Sequence, residues 1–215
     1  MNIPQTWKTL LKILALLTGI QLLRIASKAL VFSFVERTVW ADTLCSAGWM
    51  LGALCVFCIW VKEKGVSLSL FPEHFHKGYG IASGLAGAFF IATPLITQNT
   101  SPQALLSLVY GAILTVALEE LLFRGWVWKQ LELLHTGPFP WLVSSVLFGI
   151  WHLGYADTVL WRTSLFFPGA DVANILFWKV VTGLALGVVF GLLRWRCKNA
   201  YAPFLLHLVI NTFGS

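Results

Sequence analysis

Of the chain's 215 residues, 58% are hydrophobic and only 11% charged, and the mean hydropathy is +0.78. This is far too apolar for a water-soluble domain of ordinary composition. The net charge of +6 does not point to nucleic acid, because the lysines and arginines gather at the ends of apolar runs, where membrane topology puts them.

A membrane helix needs about 20 largely apolar residues. The predicted fold class is therefore all-α, a polytopic membrane helical bundle of about seven transmembrane helices. It is read as one integral-membrane domain over 1–215, with its motif-bearing core at about 102–213. Cys45, Cys55, Cys58 and Cys197 are scattered through apolar or membrane-edge sequence, which suggests neither a disulfide framework nor a zinc pair. Cys55 and Cys58 form a CxxC on an apolar helix and are read as packing thiols.

In chain order, Lys8 and Lys12 lie at the start of an apolar run from Leu10 to Phe34. The run is too long for a signal peptide and reads as the first membrane helix. Arg24 and Lys28 sit on it one turn apart; they could mark a polar interior face, but snorkelling toward an interface is the favoured reading. A second helix at about Thr43–Val61 ends in Lys62, Glu63 and Lys64, and a polar loop with His74 and His76 follows. The third helix, about Tyr79–Ile96, carries Gly80, Gly84 and Gly87, a small-residue pattern that predicts close packing. Pro102 suits the first turn of a fourth helix running to about Leu134.

The fifth helix is expected at about Pro140–Tyr155, followed by an aromatic, interfacial segment from Ala156 to Pro168. A sixth, about Asp171–Leu193, has Gly183, Gly187 and Gly191 in a stripe, and the last spans Ala200 to about Phe213. With seven spans, the loop lysines and arginines collect on one side. This predicts an N-terminus in the cytoplasm and a C-terminus opposite, in a prokaryotic cell membrane.

The polar residues of the apolar helices are the informative ones. The run Val116–Trp128, VALEELLFRGWVW, places Glu119, Glu120 and Arg124 where lipid would otherwise be. A charge at a membrane helix centre costs about 2.5–3.5 kcal/mol on insertion scales, so it faces the protein interior and has a partner. Four residues advance a helix by about 400°, so Glu120 and Arg124 share a face, as do Phe148 with His152 and His207 with Asn211. Glu119 points about 100° away from Glu120. Two carboxylates, two imidazoles, a guanidinium and an amide form a set that can deprotonate water and stabilise an oxyanion.

In this order the motifs EExxxR (Glu119, Glu120, Arg124), FxxxH (Phe148, His152) and HxxxN (His207, Asn211) resemble those of the CAAX protease and bacteriocin-processing family. These are glutamate-type intramembrane endopeptidases related to the type II CAAX prenyl endopeptidase. The resemblance covers about Val116–Asn211. It implies that Glu119 with His152 activates the attacking water, that His207 and Asn211 line the oxyanion site, and that Glu120 and Arg124 orient or assist the catalytic groups. The implied substrate is a protein or peptide with a hydrophobic, lipidated or membrane-spanning segment, met within the lipid bilayer.

No cofactor is expected, since the HExxH signature of helical zinc proteases is absent; zinc held by Glu119, His152 and His207 is the alternative. A proton-coupled transporter is the reading from a different class, because buried glutamates and histidines also relay protons. The chain lacks the internal repeat that would favour it. A non-catalytic immunity protein would need none of the three motifs.

Overall fold

The computed structural model describes residues 4–214, among which every regular element is helical. The helices are α1 (Gln5–Phe32), α2 (Val39–Glu63), α3 (Lys77–Ile96), α4 (Pro102–Glu132), α5 (Phe139–Trp151), α6 (Ala156–Phe166), α7 (Val172–Cys197) and α8 (Tyr201–Phe213). A single 3₁₀ turn, His152–Tyr155, joins α5 to α6; with these two counted as one element, the described residues form seven, as the composition predicts. Five of them, α1, α2, α3, α4 and α7, are long and apolar enough to cross a bilayer. The protein is thus a multi-pass, all-α membrane protein.

Local chemistry sets the helix starts. Thr38 and Ser101 accept hydrogen bonds from Ala41 and Ala104 backbone N–H groups, satisfying donors that a helix N-terminus leaves orphaned. His76 lies exposed in the polar loop, as expected, and also caps α3 through Nδ1, which accepts from the Gly78 N–H at 3.1 Å. The segment 156–166, read from the sequence as interfacial, is helical.

The chain divides into two compact units, Met1–Ser27 with Val127–Leu192, and Lys28–Trp126 with Leu193–Ser215. In the first, α7 meets α5 through its glycine stripe. A Cβ on Gly187 would lie 2.9 Å from the Ser145 carbonyl oxygen, and one on Gly191 would lie 2.5 Å from the Trp141 ring. The Trp141 indole donates to the Val188 carbonyl at 2.9 Å. The small residues of α7 therefore do what their spacing predicts.

In the second unit α8 packs on α3 and on the middle of α4, and α2 packs on the same part of α4. The Tyr201 hydroxyl pairs with Ser83 at 2.8 Å, and Asn199 donates to the Tyr79 hydroxyl at 2.7 Å. Here the glycine expectation fails. Nothing lies within 4 Å of a Cβ built on Gly80, Gly84 or Gly87, because α3 makes its contact through other residues, including Tyr79, Ser83 and Ala86.

The snorkelling expectation for Arg24 and Lys28 is also overturned, for each is buried beside a carboxylate. Lys28 Nζ lies 2.7 Å from Asp42 Oδ1 and 3.1 Å from Ser46 Oγ, and Arg37 reaches the same Asp42 oxygen at 2.7 Å. Arg24 is ion-paired with Asp157. Stem length alone could not distinguish a cation bound for the interface from one with a counter-charge on a helix distant in sequence.

The two glycine stripes should respond oppositely to a methyl group. Gly187→Ala drives a Cβ against backbone and is expected to cost about 1–3 kcal/mol. Gly84→Ala meets open space and leaves stability equal or higher, since Ala exceeds Gly in helix propensity by about 1 kcal/mol. Thermal unfolding of the two variants in detergent measures the difference.

Candidate active site

The stretch carrying the paired glutamates is not a plain α-helix. Within α4, Val109–Thr115 and Leu121–Val127 are π-helical, with α-helical Val116–Glu120 between them. Such wide turns carry an extra residue per turn and recur at functional sites. Side chains from other parts of the same unit bond to carbonyls in these turns. Asn211 Nδ2 donates to Gly111 at 3.0 Å and Arg194 Nε to Arg124 at 2.8 Å, while Thr115 Oγ1 donates to Tyr110 at 2.9 Å within α4 itself.

The charged residues between and after these turns are buried, with Glu119 and Glu120 each 2% exposed, His207 3% and Arg124 0%. Arg124 Nη1 lies 3.2 Å from Glu120 Oε1, the pair expected from the i,i+4 spacing. The same carboxylate oxygen lies 2.8 Å from His207 Nδ1. A carboxylate only accepts, so this ring nitrogen donates, and Nε2 is the atom directed elsewhere. It lies 3.9 Å from Glu119 Oε2. The second oxygen of Glu120 is buried and has no hydrogen-bond partner among the described residues.

Two carboxylates therefore flank one imidazole, with Glu120 fixing the ring's orientation as a carboxylate does in hydrolase triads. The 3.9 Å separation exceeds a direct hydrogen bond and leaves both atoms within reach of one water set beside them. Beside Glu120 opens a cavity of about 220 Å³ whose other walls are largely apolar, including Leu54, Leu70, Phe71, Leu121 and Phe204.

Asn211 sits one turn beyond His207 on α8, and its amide is engaged by the first π turn. His152 belongs to the first unit. There its Nδ1 is 2.7 Å from the Phe148 carbonyl, which requires that Nδ1 donate and leaves Nε2 as the second functional atom of the ring. The F and H of FxxxH are thus linked twice, by this bond and by an edge contact of the rings at 4.9 Å.

Among the described residues no three of His, Cys, Asp and Glu form a set that could hold a metal ion, and the four cysteines are free thiols. Three polar residues of the apolar helices went unrecognised in the sequence as more than topology signals. Arg194 stands in the sequence among the basic residues that end an apolar run, Arg24 has a stem long enough to snorkel, and Gln21 carries no signal at all.

Residues 101–213, more than half of the chain, match the family described as type II CAAX prenyl endopeptidase Rce1-like. The chain belongs to this family. It is also similar to the Bacillus subtilis (strain 168) protein named "Putative membrane peptidase YdiL", with 30% identity over 164 residues. That match covers 76% of this chain and 54% of the relative, so the chain spans about half the length of the curated relative it matches. No solved structure matches it.

The buried pair gives a stability prediction. Arg124→Met leaves Glu120 and Glu119 without their neighbouring guanidinium and is expected to cost about 3–5 kcal/mol. Adding Glu120→Leu to Arg124→Met should restore much of that loss, because it removes the uncompensated charge. Unfolding of the single and double variants in the same detergent compares them.

Proposed function

We propose that this chain is an intramembrane endopeptidase that hydrolyses a peptide bond by glutamate-activated water, with Glu119 as general base. The observation that carries the reading is the placement of His207. Its Nδ1 is held by Glu120 at 2.8 Å while its Nε2 stands 3.9 Å from Glu119 Oε2.

A water between these two atoms would donate one proton to the Glu119 carboxylate as its oxygen attacks the substrate carbonyl. The same proton then passes to the leaving amine. With both ring nitrogens protonated, His207 would donate from Nδ1 to Glu120 and from Nε2 to the developing oxyanion, and Asn211 is the second candidate for that role. Arg124 holds Glu120, and Glu120 holds His207. The family resemblance assigns His152 to water activation together with Glu119, and we retain it as required for hydrolysis.

The reading needs no metal ion. The apolar cavity beside Glu120 supports a substrate with a hydrophobic, lipidated or membrane-spanning segment, because a strongly polar peptide would pay desolvation there without compensation. We also place the N-terminus in the cytoplasm and the C-terminus opposite, from the one-sided distribution of basic residues.

Purified protein incubated with candidate membrane-anchored peptides, with the product ends identified by mass spectrometry, tests the proposal. Glu119→Ala and His152→Ala are each expected to lower kcat by about 10²–10⁴-fold, the usual worth of a positioned acid–base group. Cleavage persisting at the wild-type rate in both variants refutes the site. A metal chelator should leave the rate unchanged, and a reversible loss of cleavage on chelation would instead favour zinc.

A further inference from the structure

Helix α5 ends at Trp151, and the chain makes one 3₁₀ turn before α6 begins at Ala156. A helix end leaves carbonyl groups without intrahelical donors. In an apolar environment such a group is costly to leave without a donor. The turn that carries His152 is also held from outside its own backbone, and α1 supplies two donors to its carbonyls within the same unit.

Gln21 Nε2 donates to the Trp151 carbonyl at 3.4 Å, and Arg24 Nη2 donates to the Gly154 carbonyl at 2.6 Å. Arg24 Nε donates to Gln21 Oε1 at 3.0 Å, which locks the two side chains together. The Arg24 guanidinium also pairs with Asp157 in the first turn of α6 and lies over the Tyr155 ring at 5.1 Å. One guanidinium thus grips the chain on the far side of His152, and the glutamine bound to it grips the residue just before.

Two glycines keep room for this arrangement. A Cβ on Gly154 would overlap the Gln21 side chain, and a Cβ on Gly183 of α7 would lie 2.6 Å from His152 Nδ1. A side chain at position 183 would push the imidazole off the place from which Nδ1 donates to the Phe148 carbonyl.

We propose that Gln21 and Arg24 are positioning residues for His152, fixing its backbone at the helix break so that Nδ1 donates to Phe148 and Nε2 is presented for reaction. The relevance to catalysis rests on the reading that His152 takes part in hydrolysis, whereas the positioning itself does not.

Nitrogen NMR of histidine-labelled protein in lipid nanodiscs reads the two ring nitrogens directly, with the His152 signals assigned by their loss in His152→Ala. The wild type is expected to show a single Nδ1-protonated tautomer at this residue. Gln21→Met and Arg24→Met should replace it by a mixture and lower kcat by about 10–100-fold, the usual cost of losing an orienting partner, with KM within about twofold. Arg24→Lys keeps the charge but not the planar fork, so it should restore part of the signal and of the rate.

Gly183→Ala displaces the ring without touching α1 and should reproduce the tautomer change even if Arg24→Met fails to fold. Unchanged His152 signals in folded Gln21→Met and Arg24→Met overturn the proposal. If the signals move but neither these variants nor His152→Ala slow cleavage, the positioning holds and the hydrolytic assignment of His152 falls.

Discussion

The carboxylate of Glu120 bonds Arg124 and His207 through one oxygen, and this shared contact is the constraint on which the second unit turns. A buried carboxylate is tolerable only with partners, and the partners come from two parts of the chain far apart in sequence. Arg124 lies one turn along α4, whereas His207 arrives from α8, so satisfying Glu120 obliges α8 to lie against the centre of α4. The same contact turns the His207 ring so that Nε2 looks toward Glu119. A stabilising requirement and a geometric one are met by the same atoms.

The first unit solves a related problem with different means. Its helix break is held by Gln21 and Arg24, and its glycines on α7 let the helices approach closely enough for an imidazole to fill the remaining space. Each unit therefore places its histidine by engaging Nδ1 with an acceptor, a carboxylate for His207 and a backbone carbonyl for His152. In both rings the orienting bond leaves Nε2 as the atom with a task.

Much of this was legible in the residues. Charges inside apolar runs had to be paired, and the four-residue spacing correctly joined Glu120 to Arg124. The glycine stripe of α7 was legible for the same reason of periodicity, but the similar stripe of α3 packs against nothing. Spacing says which residues share a face and not whether a neighbour arrives there. Arg24 and Lys28 were misread because their counter-charges, Asp157 and Asp42, lie on other helices. The π turns left no trace in the sequence, since an i→i+5 bond uses the same residue types as an i→i+4 bond and is decided by tertiary contacts such as those of Asn211 and Arg194.

Those two wide turns bear on how such a site can change over time. Each holds more backbone than an α-helix would use for the same rise, and together they set the phase at which Glu119 and Glu120 leave the axis of α4 relative to the residues above and below. Substituting a side chain in α4 alters what the glutamates touch while leaving the direction in which they point. Removing or adding a single residue in 109–115 or 121–127 would rotate one end of the helix against the other by roughly 100°. The chemistry of this face is thus open to point substitution, whereas its aim is governed by chain length, a quantity that selection can vary only in whole residues.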